Sequence, residues 1–168
     1  MSQRLVSFFL VCSAIFLPGC MPSPYYQKDF TIPRNEWSTQ YKPTFKFEIT
    51  DTASVYNLYF IIRHTEAYPF SNIWIRVHTK QPGDSVFEKS RLEIPLADAA
   101  GKWLGRGMGE IWEHRMPMTR NDNPMFFNKP GVYELMFEQN MRMNPLPEVL
   151  QVGLRLEKVD KPKQTTQQ

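Results

Sequence analysis

Apolar and polar residues alternate with a period of two in several stretches, the signature of strands with one buried face. Across residues 43–50, Phe45, Phe47 and Ile49 share one side, and Lys46 and Glu48 the other. Residues 55–63 line up Tyr56, Leu58, Phe60 and Ile62. Tyr59 and Ile61 make the opposite side apolar as well, which predicts a central strand covered on both faces. A turn at 67–72 leads into residues 73–79, with Ile73, Ile75 and Val77 inward, and Gln81-Pro-Gly-Asp84 closes a hairpin to residues 86–94. Four strands thus follow one another like successive hairpins, at the spacing of a sandwich or barrel.

Residues 95–115 form a glycine-dense connector. Gly101, Gly105, Gly107 and Gly109 are half of the 8 glycines, so the backbone there must turn or come close to another group. We read it as a crossover between sheets. Gly105-Arg-Gly-Met-Gly109 lacks the spacing of a dinucleotide loop, and no Gly-Lys-Ser or Gly-Lys-Thr follows to hold a phosphate. Residues 110–116 fit strand or helix, and the interspersed glycines, at about 1 kcal/mol each in a helix, favour strand. Residues 132–138 alternate cleanly, with Tyr133, Leu135 and Phe137 inward. One helical turn is expected over 139–144, stopped by Pro145-Leu-Pro147. A last strand over 149–157 sends Leu150, Val152, Leu154 and Leu156 to the core.

Composition agrees with an all-β class: the chain of 168 residues has 14 prolines, 14% aromatic residues and no sustained helical periodicity. The fold expected is one antiparallel β-sandwich, jelly-roll or immunoglobulin-like, over residues 39–158. The formal charge of +3 is mild and no basic block resembles a nucleic-acid arm, so no nucleic-acid partner is expected. Lys158, Lys161 and Lys163 read as a solvated tail, with residues 159–168 disordered.

The N-terminus changes the picture most. Arg4 precedes an apolar run from Leu5 to Leu17, too short for a span of about 20 residues, and Pro18-Gly19-Cys20 follows. Residues 1–19 therefore read as a cleaved leader. Leu17-Pro-Gly-Cys20 resembles the bacterial lipobox, in which the cysteine receives a diacylglycerol on sulfur and an acyl chain on its freed amine. Each buried methylene contributes about 0.8 kcal/mol, and more than one chain anchors stably. Residues 20–38, with prolines at 22, 24 and 33, read as lipidated N-terminus and tether at about 3 Å per residue, in which 28–32 can add an edge strand. In bacteria that send lipoproteins to the cell surface an acidic cluster after the anchor often acts as the export tag, and Met21-Pro-Ser-Pro-Tyr-Tyr26 has no acidic residue, so that resemblance implies the periplasmic side of the cell membrane or outer membrane. Cys12 and Cys20 are the only cysteines, so the body forms no disulfide.

Candidate chemistry is sparse. His64, His78 and His114 stand in no metal-ligand spacing, and a shared zinc would need three distant segments to converge. No Gly-x-Ser-x-Gly or Ser-x-x-Lys motif marks a nucleophile, and Glu110 and Glu113 read as solvated carboxylates rather than a glycosidase dyad. No catalytic residue, metal or free cofactor is assigned, and the chain is read as not an enzyme. The candidate partner-binding loop comprises Asp98, Lys102, Trp103, Arg106 and Trp112. Trp74, Trp103, Trp112, Tyr59 and Tyr68 also raise carbohydrate or peptide binding as an alternative.

Several motifs in one order, including Ile32-Pro-Arg-Asn-Glu-Trp37, Tyr68-Pro-Phe-Ser-Asn72, Pro95-Leu-Ala-Asp98, Gly101-Lys-Trp-Leu-Gly-Arg-Gly-Met-Gly109 and Val152-Gly-Leu-Arg-Leu-Glu157, resemble the gliding-motility lipoprotein family GldH of Bacteroidetes. The resemblance implies a membrane-anchored envelope lipoprotein, non-catalytic, working with other envelope or motility lipoproteins. It supplies no catalytic residues.

Overall fold

The alternating stretches become the strands of two facing antiparallel sheets in the computed structural model, which describes residues 24–119 and 125–159. In chain order the strands are β1 (Tyr26–Thr31), β2 (Glu36–Trp37), β3 (Thr44–Ile49), β4 (Val55–Thr65), β5 (Asn72–Lys80), β6 (Glu88–Pro95), β7 (Arg106–Met108), β8 (Ile111–Pro117), β9 (Met125–Phe126), β10 (Gly131–Gln139), β11 (Leu146–Pro147) and β12 (Val149–Val159). One sheet runs β1-β12-β4-β8-β7, with β9 also on β4, and the other runs β3-β10-β5-β6. A two-residue ribbon of β2 and β11 closes one end.

The inward set is the one expected from alternation. Phe45, Phe60, Ile62, Ile73, Ile75, Phe137, Leu154 and Leu156 are all fully buried. The sheets meet through rings: Phe60 of β4 lies 5.0 Å from Phe137 of β10, edge to face, and Phe30 of β1 lies 5.2 Å from Phe45 of β3. Edge-to-face packing of this kind adds to the stabilisation from apolar area removed from water.

Several expectations are corrected. Strands β3, β4 and β5 are not successive hairpins: β3 pairs with β10 and β4 with β12 and β8, so the chain changes sheet from β3 to β4 and again to β5, and of the four expected strands only β5 and β6 pair with each other. Strand β4 is central, but its second face is covered by long side chains of its own sheet rather than by another layer. There Arg115 stacks 4.3 Å over Tyr59, and Arg63 bonds Glu113 and, at 2.7 Å, Gln151. Charged residues with apolar stems can cover such a face, and Ile61 in its middle is only 6% exposed.

The boundary expected between residues 38 and 39 falls inside the folded body. Strand β1 pairs with β12 from Tyr26, two residues before the expected edge strand, and Ile32 and Trp37 are buried. Trp37 donates Nε1–H to the Tyr41 carbonyl, so this stretch is packed rather than strung out as a tether. The helical turn over 139–144 is replaced by a loop wound round the buried Gln139 amide, whose Oε1 accepts the Met141 N–H and whose Nε2 donates to the Met143 carbonyl. At the start of β12 a register shift between Val149 and Gln151 moves Leu150 out of the core and puts Val149 in. The leader, Cys20 and residues 160–168 lie outside the described residues.

Candidate functional site

The connector does pass from one sheet to the other, leaving β6 and entering β7. Its first part closes on itself around Asp98. The carboxylate accepts the N–H groups of Ala100 and Lys102, both at 2.9 Å, while Ala97 bridges Trp103 and the Leu104 N–H reaches the Leu96 carbonyl. Gly101 sits at φ 83°, a left-handed turn position suited to glycine. Asp98 is thus committed to shaping its own loop.

Trp103 turns inward, 4.5 Å from the His64 ring, against a wall that includes Tyr68 and His114. Two glycines of the connector then lie against side chains of β8. A Cβ on Gly105 would stand 2.5 Å from the Glu113 carbonyl oxygen and 2.9 Å from the His114 ring, and one on Gly107 would touch the Trp112 ring at 3.1 Å. Close backbone approach is therefore what these two glycines permit. Gly105→Ala is expected to lower stability by about 1–3 kcal/mol, because the obstacle includes backbone that must shift. Urea unfolding checks this, and an unchanged midpoint would contradict it.

Of the five candidate residues, Lys102 and Arg106 are exposed, as is Asp98, whereas Trp103 and Trp112 are half-buried. Arg106 stands opposite Glu113 in register. The exposed apolar side chains of this region are Leu104, Met108 and Ile111. Met108 and Ile111 pair across the β7–β8 turn.

Beneath the connector the structure joins two residues that sequence reasoning kept apart. His64 and His114 are fully buried, with their Nε2 atoms 2.9 Å apart. His64 Nδ1–H donates to the Thr65 carbonyl at 2.7 Å, so its Nε2 accepts from His114 Nε2–H, leaving His114 Nδ1 as a buried acceptor. The inward face of each histidine was legible, though not their pairing: extending the inward series Leu58, Phe60, Ile62 by two residues gives His64, and Trp112 plus two gives His114. His78 does not join them. It lies on the outer face of the second sheet and bonds Glu138 at 2.8 Å.

Burial lowers the pKa of His64, against a smaller upward pull from its bond to Thr65. Burial and then the neighbouring His64 lower that of His114 to about 4. A base whose folded pKa is depressed stabilises the fold while neutral. The contribution is complete above the unfolded value near 6.5 and is lost as pH falls from there towards about 4. Stability is expected to drop by about 3 kcal/mol over that window, at about 1.4 kcal/mol per pH unit for one proton. Carboxylates held below their usual range, such as Glu134 through its bonds to Lys80 and Lys46, act lower still. A His114→Leu chain should therefore show a flatter profile between pH 6.5 and 4.5. An equally steep profile would contradict the assignment.

Three of the aromatic residues considered for sugar binding are engaged within the fold. Arg91 lies 3.9 Å over Trp74 and Arg115 covers Tyr59, while Tyr68 is buried with its hydroxyl donating to the Asn72 carbonyl.

Comparison with known proteins places this arrangement in context. Residues 24–156 match the family model described as GldH lipoprotein. The chain is 28% identical over 160 residues to the gliding motility lipoprotein GldH homolog of Christiangramia forsetii, covering 91% of this chain and 95% of that one. It is 25% identical over 162 residues to gliding motility lipoprotein GldH of Flavobacterium johnsoniae, covering 92% and 97%. A chain of the tomato aspermy virus structure superposes with a TM-score of 0.30 at 11% identity over 99% of this chain and all of that one, too loosely to bear on the fold.

Proposed function

Because the chain belongs to the GldH lipoprotein family, we propose that it is a non-catalytic component of gliding-motility or associated envelope machinery, held on the periplasmic side of a membrane by acyl chains on Cys20. The observation that carries this reading is the extent of the family match. Residues 24–156 take in nearly the whole described body, so what this chain shares with the family is the sandwich itself rather than a short motif. Leu17-Pro-Gly-Cys20 supplies the acylation signal just ahead of that segment. A protein confined to a surface acts through what its exposed residues meet there. Lys102 and Arg106, beside the exposed Leu104 and Met108, offer a mixed apolar and cationic contact for another envelope lipoprotein. Trp103 supports that loop from inside.

The test is cross-linking in intact envelopes. A photo-reactive residue at Arg106 or Met108 is expected to capture a discrete envelope protein that the same probe at Lys89, on an exposed stretch of β6, does not. Capture equal at both places would contradict the proposed contact. Carbohydrate binding, the alternative, would require an open aromatic face, and a glycan array on the soluble body tests it.

A further inference from the structure

We infer that the sandwich stands end-on, with the turns at 50–54, 81–87 and 127–130 resting on the lipid surface and Tyr25 and Val86 reaching into its interface. This rests on the proposed acylation of Cys20. It adds which end of the fold meets lipid.

Strand register sets the two ends. β1 begins at Tyr26 opposite Leu156, and β12 ends at Val159 opposite Val55, so both chain termini leave from one end. The β3–β4, β5–β6 and β9–β10 turns lie at that same end. Only residues 21–25 separate Cys20 from β1, and even fully extended they reach roughly 18 Å. β4 has 11 residues, a length of about 36 Å at about 3.3 Å each. The β7–β8 turn, beside Thr65 at the far end of β4, is therefore out of reach of the tether when the body stands upright.

The chemistry of the near end suits lipid. Val86 is 73% exposed, and Tyr25 is 37% exposed with its hydroxyl donating to the Glu48 carbonyl. A tyrosine at the junction of apolar and polar layers is favourable. The aspartates of these turns are neutralised, Asp51 by Lys158 at 2.6 Å and Asp84 by Lys129 at 3.8 Å. The outer faces of the sheets instead carry carboxylates such as Glu113, Glu138 and Glu157 in ion-pair networks. Lying flat would press those groups into the headgroups and desolvate them.

The test uses the full acylated chain in phosphatidylethanolamine–phosphatidylglycerol vesicles, with Val86→Cys or Met108→Cys carrying an environment-sensitive fluorophore. Both positions are well exposed, so the probe leaves the core intact. The probe at 86 is expected to brighten at least twofold and be quenched by nitroxide-labelled lipid, while the probe at 108 is unchanged. If the protein floats with the vesicles but the probe at 86 stays as wet as that at 108, or both are quenched, the orientation is wrong while the anchor stands. If the protein does not float at all, the anchoring reading fails and the orientation falls with it.

Discussion

Phe137→Ala is expected to lower the stability of the body by about 3–5 kcal/mol, the usual effect of deleting a fully buried aromatic ring. Phe137 is completely buried and lies 5.0 Å from both Phe45 of its own sheet and Phe60 of the other. Its loss would open a cavity at the centre of the contact between the layers. Domains of this kind are stable by about 5–15 kcal/mol, so the variant should unfold at a much lower urea concentration. Glu138→Gln, one residue on, provides the contrast. Its carboxylate is held below the usual range because bonds and charge from Lys42, His78 and Arg76 outweigh burial, which alone would raise it. Glutamine there keeps the side-chain volume and lies on the outer face of the sheet, so the layers stay packed and the cost is expected to be smaller, about 1–3 kcal/mol for the weakened bonds to Lys42, Arg76 and His78. A Phe137→Ala midpoint close to that of Glu138→Gln would show that the sheets do not meet at these rings.

Cys20→Ser has the largest expected effect on location. At about 0.8 kcal/mol per buried methylene, one chain of about 14 methylenes contributes roughly 11 kcal/mol of gross transfer energy, and a second and third make release negligible. No helix among the described residues is long and apolar enough to cross a membrane. Exported behind an ordinary secretory leader that is cut just before position 20, the Cys20→Ser protein should leave the membrane pellet for the soluble periplasmic fraction. Retention in the pellet would mean that protein contacts, not lipid, hold it there.

The sheets were largely legible in the sequence because alternation directly encodes which face of a strand is buried. Phe45, Phe47 and Ile49, or Tyr133, Leu135 and Phe137, need no partner to be read as inward. Pairing is a different matter. Nothing in residues 44–49 says that they lie against β10 rather than β4, since period two fixes the face of a strand and not its neighbour. The same limit hid the histidine pair, where 50 residues of sequence separate His64 from His114. In the candidate loop the glycines do mark places of close approach. What they approach, the His114 and Trp112 rings, depends on the β7–β8 register. Trp103 reads as a contact residue because a tryptophan among glycines looks unsupported in sequence; three-dimensional packing supplies its support from His64 and Tyr68.

The most direct test is the intact mass of the mature protein extracted from its own membranes in detergent. The expected species is a chain beginning at Cys20 that carries the added mass of a diacylglyceryl group and an amide-linked acyl chain, both removed with an N-terminal fragment that contains Cys20. A mature chain with an unmodified cysteine at that position would contradict it.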